Sequence, residues 1–242
     1  KWYLHDEFTA TNLTFDIGGT CKRAIESYLT GGHPVKCGLK HHANNGNGSL
    51  MRILPVAFVC HRNQITGEKR FELVKNISSL THAHPISVLG CLIYTNFVCH
   101  LLGGDNPKEA YRKTQLDDYS MFEPEERSLY SRILKNQIYH YPKGYIPSRA
   151  YVVDTLEAVL WSFLTTDNFQ DAVLTAINLG DDTDTIGALT GSLAGIQYGL
   201  KSIPEKWATT LKRGRYLVKL CDQFAETEID TTDISPESTS IP

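Results

Sequence analysis

Apolar residues recur at three- and four-residue steps through much of the chain, the period of a helix that packs on one side. In "YVVDTLEAVLWSFLTT" the residues Val152, Val153, Leu156, Val159, Leu160 and Phe163 form such a stripe, and the spacing predicts an amphipathic helix. "NFQDAVLTAINLG" predicts a second helix, with Ala172, Val173, Ala176 and Ile177 on one face and Gly180 where a C-terminal glycine belongs. "HPISVLGCLIYTNFVCHLLGG" is largely apolar and too long for a strand, so it reads as a buried helix that starts after His84-Pro85 and stops at Gly103-Gly104. A short helix in "GTCKRAIESYLTGG" is closed by Gly31-Gly32, and another begins near Pro55 in "SLMRILPVAFVCHRN". Residues 115–148 are richer in charge, tyrosine and proline, which predicts surface loops and little core. With no internal repeat and little β-alternation, the fold class expected is all-α.

Composition narrows this picture without changing it. A chain of 242 residues that is 41% hydrophobic and 21% charged is ordinary globular material, expected to form one domain over residues 1–225 and a polar tail over 226–242. A formal charge of -3 provides no basic field, so no nucleic-acid partner is expected. No uninterrupted apolar run reaches about 18 residues, and "KWYLHDEFTA" is not a signal peptide, so the expectation is no membrane and a cytoplasmic location. The six cysteines are scattered with no CxxC pair, which fits reduced thiols, and the sequons at Asn12, Asn47 and Asn76 are expected by chance.

The chemistry gathers in "NLGDDTDTIGALTGSLAGIQYG". Caps at a helix N-terminus account for one or two of its acidic and hydroxyl residues, such as Asp184 or Thr185. They do not account for Asp181, Asp182 and Asp184 together, because closely spaced carboxylates repel and a bound cation is the simplest offset. Carboxylate and hydroxyl oxygens suit Mg²⁺, Mn²⁺ or Ca²⁺. An EF-hand is excluded, since it would need an oxygen ligand where Ile186 stands and a Glu where Leu193 stands. Gly187, Gly191 and Gly195 follow at four-residue spacing, which predicts close approach of another backbone to that helix.

The motif "LGDDTDTIGALTGSLAG" resembles the metal-binding signature of the ADP-ribosylglycohydrolase family, and "FDIGGTCKRAI", "GNGSLMRILPVA", "LTHAHP" and "YVVDTLEAVLWSFL" agree with the family in the same order. The resemblance implies a compact multi-helix bundle around two Mg²⁺ or Mn²⁺ ions. These position ADP-ribose for hydrolysis of the bond between its terminal ribose and an acceptor on a protein or small molecule. Carried over by position, it implies Asp182, Asp184 and Thr185 as metal ligands, and Asn47, Gly48 and Ser49 as the loop around the phosphates. His82 and Tyr151 would contact ADP-ribose, with His84 the weaker histidine, and Asp16 would be the acid beside the scissile bond. Asp181 stands where relatives often have glycine, Gly19 where many have Asn, and Ala150 where glycine is common. Met51 and Arg52 read as structural, Arg52 pairing with a buried acid.

Nothing before Asp16 resembles the family's glycine-rich "GDALG"-like helix or its Thr-Asp-Asp motif, which give the other metal ligands. The chain is therefore expected to carry about half of a two-metal site. It would be a fragment completed by a missing N-terminal segment or a second chain, a short form that binds ADP-ribose without hydrolysing it, or a scaffold with a structural role.

Overall fold

A computed structural model describes residues 1–229; the predicted tail lies outside the described residues from position 230 on. The longer helices are α1 (Gly19–Leu29), α2 (Leu54–Arg62), α3 (Gly67–Ser79), α4 (Pro85–Leu102), α5 (Pro107–Leu116), α6 (Val152–Leu164), α7 (Phe169–Ile177), α8 (Thr183–Tyr198) and α9 (Gly214–Glu226). Among the described residues, β-structure is limited to the isolated bridges Leu39 to His82 and Gly46 to Tyr151, so the molecule is all-α as expected.

Helix α4 is the axis of the bundle. His84 caps it by accepting from the Ile86 N–H, and Pro85 occupies the first turn, where its missing N–H is not needed. By length and composition α4 is apolar enough to cross a membrane, but 15 of its 18 residues are buried inside this fold. It packs against α2, α3 and α5 on one side and α6 on another, while α6, α7 and α8 form a second group. The Phe97 and Phe163 rings meet edge to face at 5.9 Å, and the Tyr94 hydroxyl donates to the Leu189 carbonyl at 3.3 Å. The first contact ties α6 to the bundle axis and the second ties α8, which carries the aspartate cluster, to it.

Residues 115–148 differ from expectation. They hold short helices at Pro124–Leu129 and Ser131–Leu134, yet Tyr119, Phe122, Tyr130, Ile133, Ile138 and Ile146 are all buried. Tyrosine serves as core here because each hydroxyl finds a carbonyl: Tyr119 donates to Thr114 and Tyr130 to Ile86. The glycines of α8 also correct the expectation. Gly187 and Gly191 face side chains of α7, not a backbone: a Cβ on Gly187 would lie 2.8 Å from Ile177 Cγ2 and one on Gly191 3.5 Å from Val173 Cγ2, whereas Gly195 faces open space.

Candidate functional site

Three loops converge at the N-terminus of α8. The loop before α2 is clasped to the segment before α6 through Asn47 N–H to the Ala150 carbonyl (3.1 Å) and Val152 N–H to the Asn45 carbonyl (3.0 Å). The Asp182 N–H is held in turn by the Ser148 carbonyl at 3.1 Å. These main-chain bonds bring residues more than 130 positions apart within side-chain reach, and Asn47 Nδ2 donates to Asp182 Oδ2 at 2.5 Å.

A cleft of about 610 Å³ opens over this junction, lined by Asp16, Asn47, Gly48, His82, Asp182, Asp184 and Thr185 among others. The volume suits a nucleotide-sized ligand. Seven of the nine residues expected in the site thus share one cavity. Ser49 and Tyr151 do not line it. The Ser49 side chain is fully buried and accepts from the Cys91 thiol at 3.4 Å, whereas Tyr151 lines a neighbouring cavity with Arg132, Arg149 and Glu157.

Asp182 is the N-cap of α8, but its side chain makes no capping bond. Its carboxylate is spent on Asn47 instead, so helix capping does not explain why an aspartate stands there. Burial pushes the Asp182 carboxyl up, Asn47 and Thr185 pull it down, and the adjacent Asp184 pushes it up again. Asp181, by contrast, lies outside the cleft with φ of 50° and accepts from the Ser148 hydroxyl at 3.3 Å. Left-handed backbone is the reason a glycine suits this position.

Asp182, Asp184 and Thr185 line the cleft with hard oxygens, a donor set that fits Mg²⁺ or Mn²⁺. They are two acids and one hydroxyl. No group of three His, Cys, Asp or Glu side chains able to hold a metal occurs among the described residues, so the set fits part of a coordination shell.

Gly48 is required by space. A Cβ there would sit 2.9 Å from His82 Cε1 and 3.0 Å from Cys21 Sγ. His82 is almost fully buried, its Nδ1 bonded to the Thr81 hydroxyl at 2.7 Å, and burial together with the Arg52 charge pulls its pKa down to about 4. Among the described residues Arg52 has no acidic partner. Its guanidinium donates to the Gly48, Ile77 and Ser78 carbonyls and the Thr81 hydroxyl at 2.6–3.3 Å, which fixes the loop beside His82. Met51, expected to be structural, is 53% exposed on the cleft wall.

Asp16 stands exposed at the mouth of the cleft with φ of 48°. There the cleft joins a second, mainly apolar groove of about 650 Å³, lined in part by Trp2, Cys21, Ile25, Tyr28, Met51 and Leu80. Sequence reasoning missed Cys21, which lines both cavities, and Thr155, a fully buried residue of α6 whose hydroxyl accepts from Asn47 Nδ2 at 2.9 Å. A polar residue within the otherwise apolar stripe of α6 was the available signal for Thr155.

The chain is 32% identical over 227 residues to the ADP-ribosylarginine hydrolase Tri1 of Serratia proteamaculans, a match covering 93% of this chain and 58% of the relative. It is 32% identical over 196 residues to the ADP-ribosyl-[dinitrogen reductase] glycohydrolase of Rhodospirillum rubrum, covering 81% of this chain and 60% of that protein. It therefore spans about three fifths of the length of these curated relatives. A solved structure described as an ADP-ribosylglycohydrolase-related protein complex superposes with a TM-score of 0.72 at 26% identity, over 86% of this chain and 68% of that one. The ADP-ribosylglycohydrolase family profile matches residues 1–233, nearly the whole sequence, and the chain belongs to that family.

Proposed function

We propose that this chain contributes the cleft of an enzyme that hydrolyses the glycosidic bond between ADP-ribose and an acceptor on a protein. The observation that carries this reading is the convergence of Asn47, Gly48 and His82 with Asp182, Asp184 and Thr185 in one cavity. Asp182, Asp184 and Thr185 would hold a divalent cation, which supplies Lewis-acid chemistry when bound. Asn47 orients Asp182, and Gly48 lets the backbone approach phosphate oxygens. His82, neutral at physiological pH, lies beside Gly46 and Gly48 and presents an uncharged ring to the ligand. Asp16, at the mouth, would take or give the proton on the departing acceptor. An arginine acceptor is favoured by the name of the Serratia relative.

The remaining oxygen ligands would come from a segment or second chain seated in the apolar groove, which meets the cleft at Asp16, Gly18, Cys21, Gly48 and Met51. The short donor set also favours a second reading, in which the chain binds ADP-ribose without turning over a substrate.

Calorimetric titration of ADP-ribose into the 242-residue chain, with and without Mg²⁺, tests both. Metal-dependent binding that is lost in Asp182→Ala and Asp184→Ala supports the cleft as assigned. Hydrolysis of ADP-ribosylated arginine then separates enzyme from binding module; a folded chain that binds nothing overturns the second reading and leaves the first only with the further segment or chain present.

A further inference from the structure

We infer that Thr155 is a positioning residue that sets the orientation of the Asn47 amide and, through it, the place of Asp182. This inference rests on the reading of the cleft proposed above.

Four groups form one directed chain of hydrogen bonds. The Thr155 hydroxyl donates to the Arg149 carbonyl at 3.1 Å, so its oxygen is free to accept only from the other side. Asn47 Nδ2 donates one hydrogen to that oxygen at 2.9 Å and the other to Asp182 Oδ2 at 2.5 Å. Both amide hydrogens are thereby used, and the flip state of Asn47 is fixed with its donor side toward the carboxylate. The opposite flip would set the amide oxygen against Asp182, two acceptors facing each other. The Asp182 carboxylate selects the donor side of the amide, and Thr155 holds the amide plane in line with it.

The anchor is rigid. Thr155 is fully buried and lies in the first turn of α6, and its N–H bonds the Tyr151 carbonyl at 2.9 Å. Asn47 is 7% exposed and pinned through its own N–H to Ala150. The chain of bonds thus transmits the position of a buried helix to an acid at the cleft surface without Thr155 lining the cleft. Groups that orient a metal ligand from behind commonly contribute about ten- to a hundredfold to ion affinity.

Mn²⁺ titration of the full chain should show about tenfold or greater weakening in Thr155→Val, which keeps the shape and removes the hydroxyl, and near wild-type affinity in Thr155→Ser. In an Asn47→Ala background, Thr155→Val should cause no further loss, because its effect runs through Asn47. Additive losses would overturn the inference and leave Thr155 a packing residue.

A metal-free readout keeps the test separate from the reading of the cleft. The Asn47 side-chain amide hydrogens should exchange slowly with solvent in the wild type and Thr155→Ser, and at least tenfold faster in folded Thr155→Val. Equal rates in wild type and Thr155→Val would overturn the inference. A wild-type chain that takes up no Mn²⁺ while the exchange rates differ would overturn the metal reading and leave the role of Thr155 standing.

Discussion

Asp181 and Asp182 are adjacent in the chain yet lie in different cavities, and substitutions there should separate cleanly. Asp181→Gly relieves a left-handed backbone and loses a weak bond from Ser148, so stability should change by less than about 1 kcal/mol and ligand binding not at all. Calorimetry and thermal denaturation on the same sample check both halves. His82 makes a pH prediction. Its folded pKa of about 4 lies below the ordinary value of 6.5, so between those values the unfolded chain binds more protons. The stability from a neutral His82 is complete above pH 6.5 and is lost as the pH falls through 4, by about 3 kcal/mol in order of magnitude. Glu157 works in the opposite sense. Burial outweighs its partner Arg132, 2.9 Å away, and pushes its pKa up to about 7, so it loses stability as pH rises from 4.5 to 7. Urea unfolding of wild type and His82→Gln at pH 7.5 and pH 5 isolates the His82 part: the variant should show the smaller acid loss, and parallel curves would refute the assignment.

At the scale of elements, α8 carries the acids at its N-terminus and leans on α7 through its glycines. Gly195 meets nothing within 4 Å, so Gly195→Ala should raise stability by about 0.5–1 kcal/mol from helix propensity alone. Gly187 is different. Its added Cβ would press on Ile177 Cγ2 at 2.8 Å, and a β-branched side chain gives way poorly, so Gly187→Ala should be less stable than Gly195→Ala by about 1 kcal/mol. Chemical denaturation of the two variants decides it. Because Gly187 sits one turn from the acids, Gly187→Ala should also disturb ligand binding, which Gly195→Ala should spare.

In the whole molecule, the bundle axis and the tyrosine-rich segment meet at Gly90. A Cβ there would lie 2.5 Å from the Tyr130 hydroxyl and 3.0 Å from Val152 Cγ2, so α4, α6 and residues 115–148 lock at one point. Gly90→Ala should destabilise by about 1–3 kcal/mol, whereas Tyr130→Phe should cost about 1 kcal/mol by removing the hydroxyl bond to the Ile86 carbonyl. Denaturant titration would show whether the order holds. The surface also carries apolar side chains in quantity: Leu4, Phe8, Leu13 and Phe15 near the start, and Leu217, Val218 and Leu220 on α9, are each at least 40% exposed.

Local pattern decided the helices. The stripe of α6, the length of α4, the prolines that start helices and the glycines that follow them are properties of neighbouring residues, and the sequence states them directly. Residue type and motif order also marked Asn47, His82, Asp182 and Asp184, since few residues offer hard oxygens or an imidazole. What the sequence left open depended on partners distant in the chain. Arg52 found carbonyls where an acid was expected, Ser49 turned into the core, and Tyr119 and Tyr130 became buried because main-chain acceptors waited for them. Every residue carries the same carbonyl, so no spacing foretells which one a buried donor will meet. Tertiary structure alone joined Arg149, Thr155, Asn47 and Asp182 into one chain, because hydrogen bonding needs positions within about 3 Å and sequence order does not fix them.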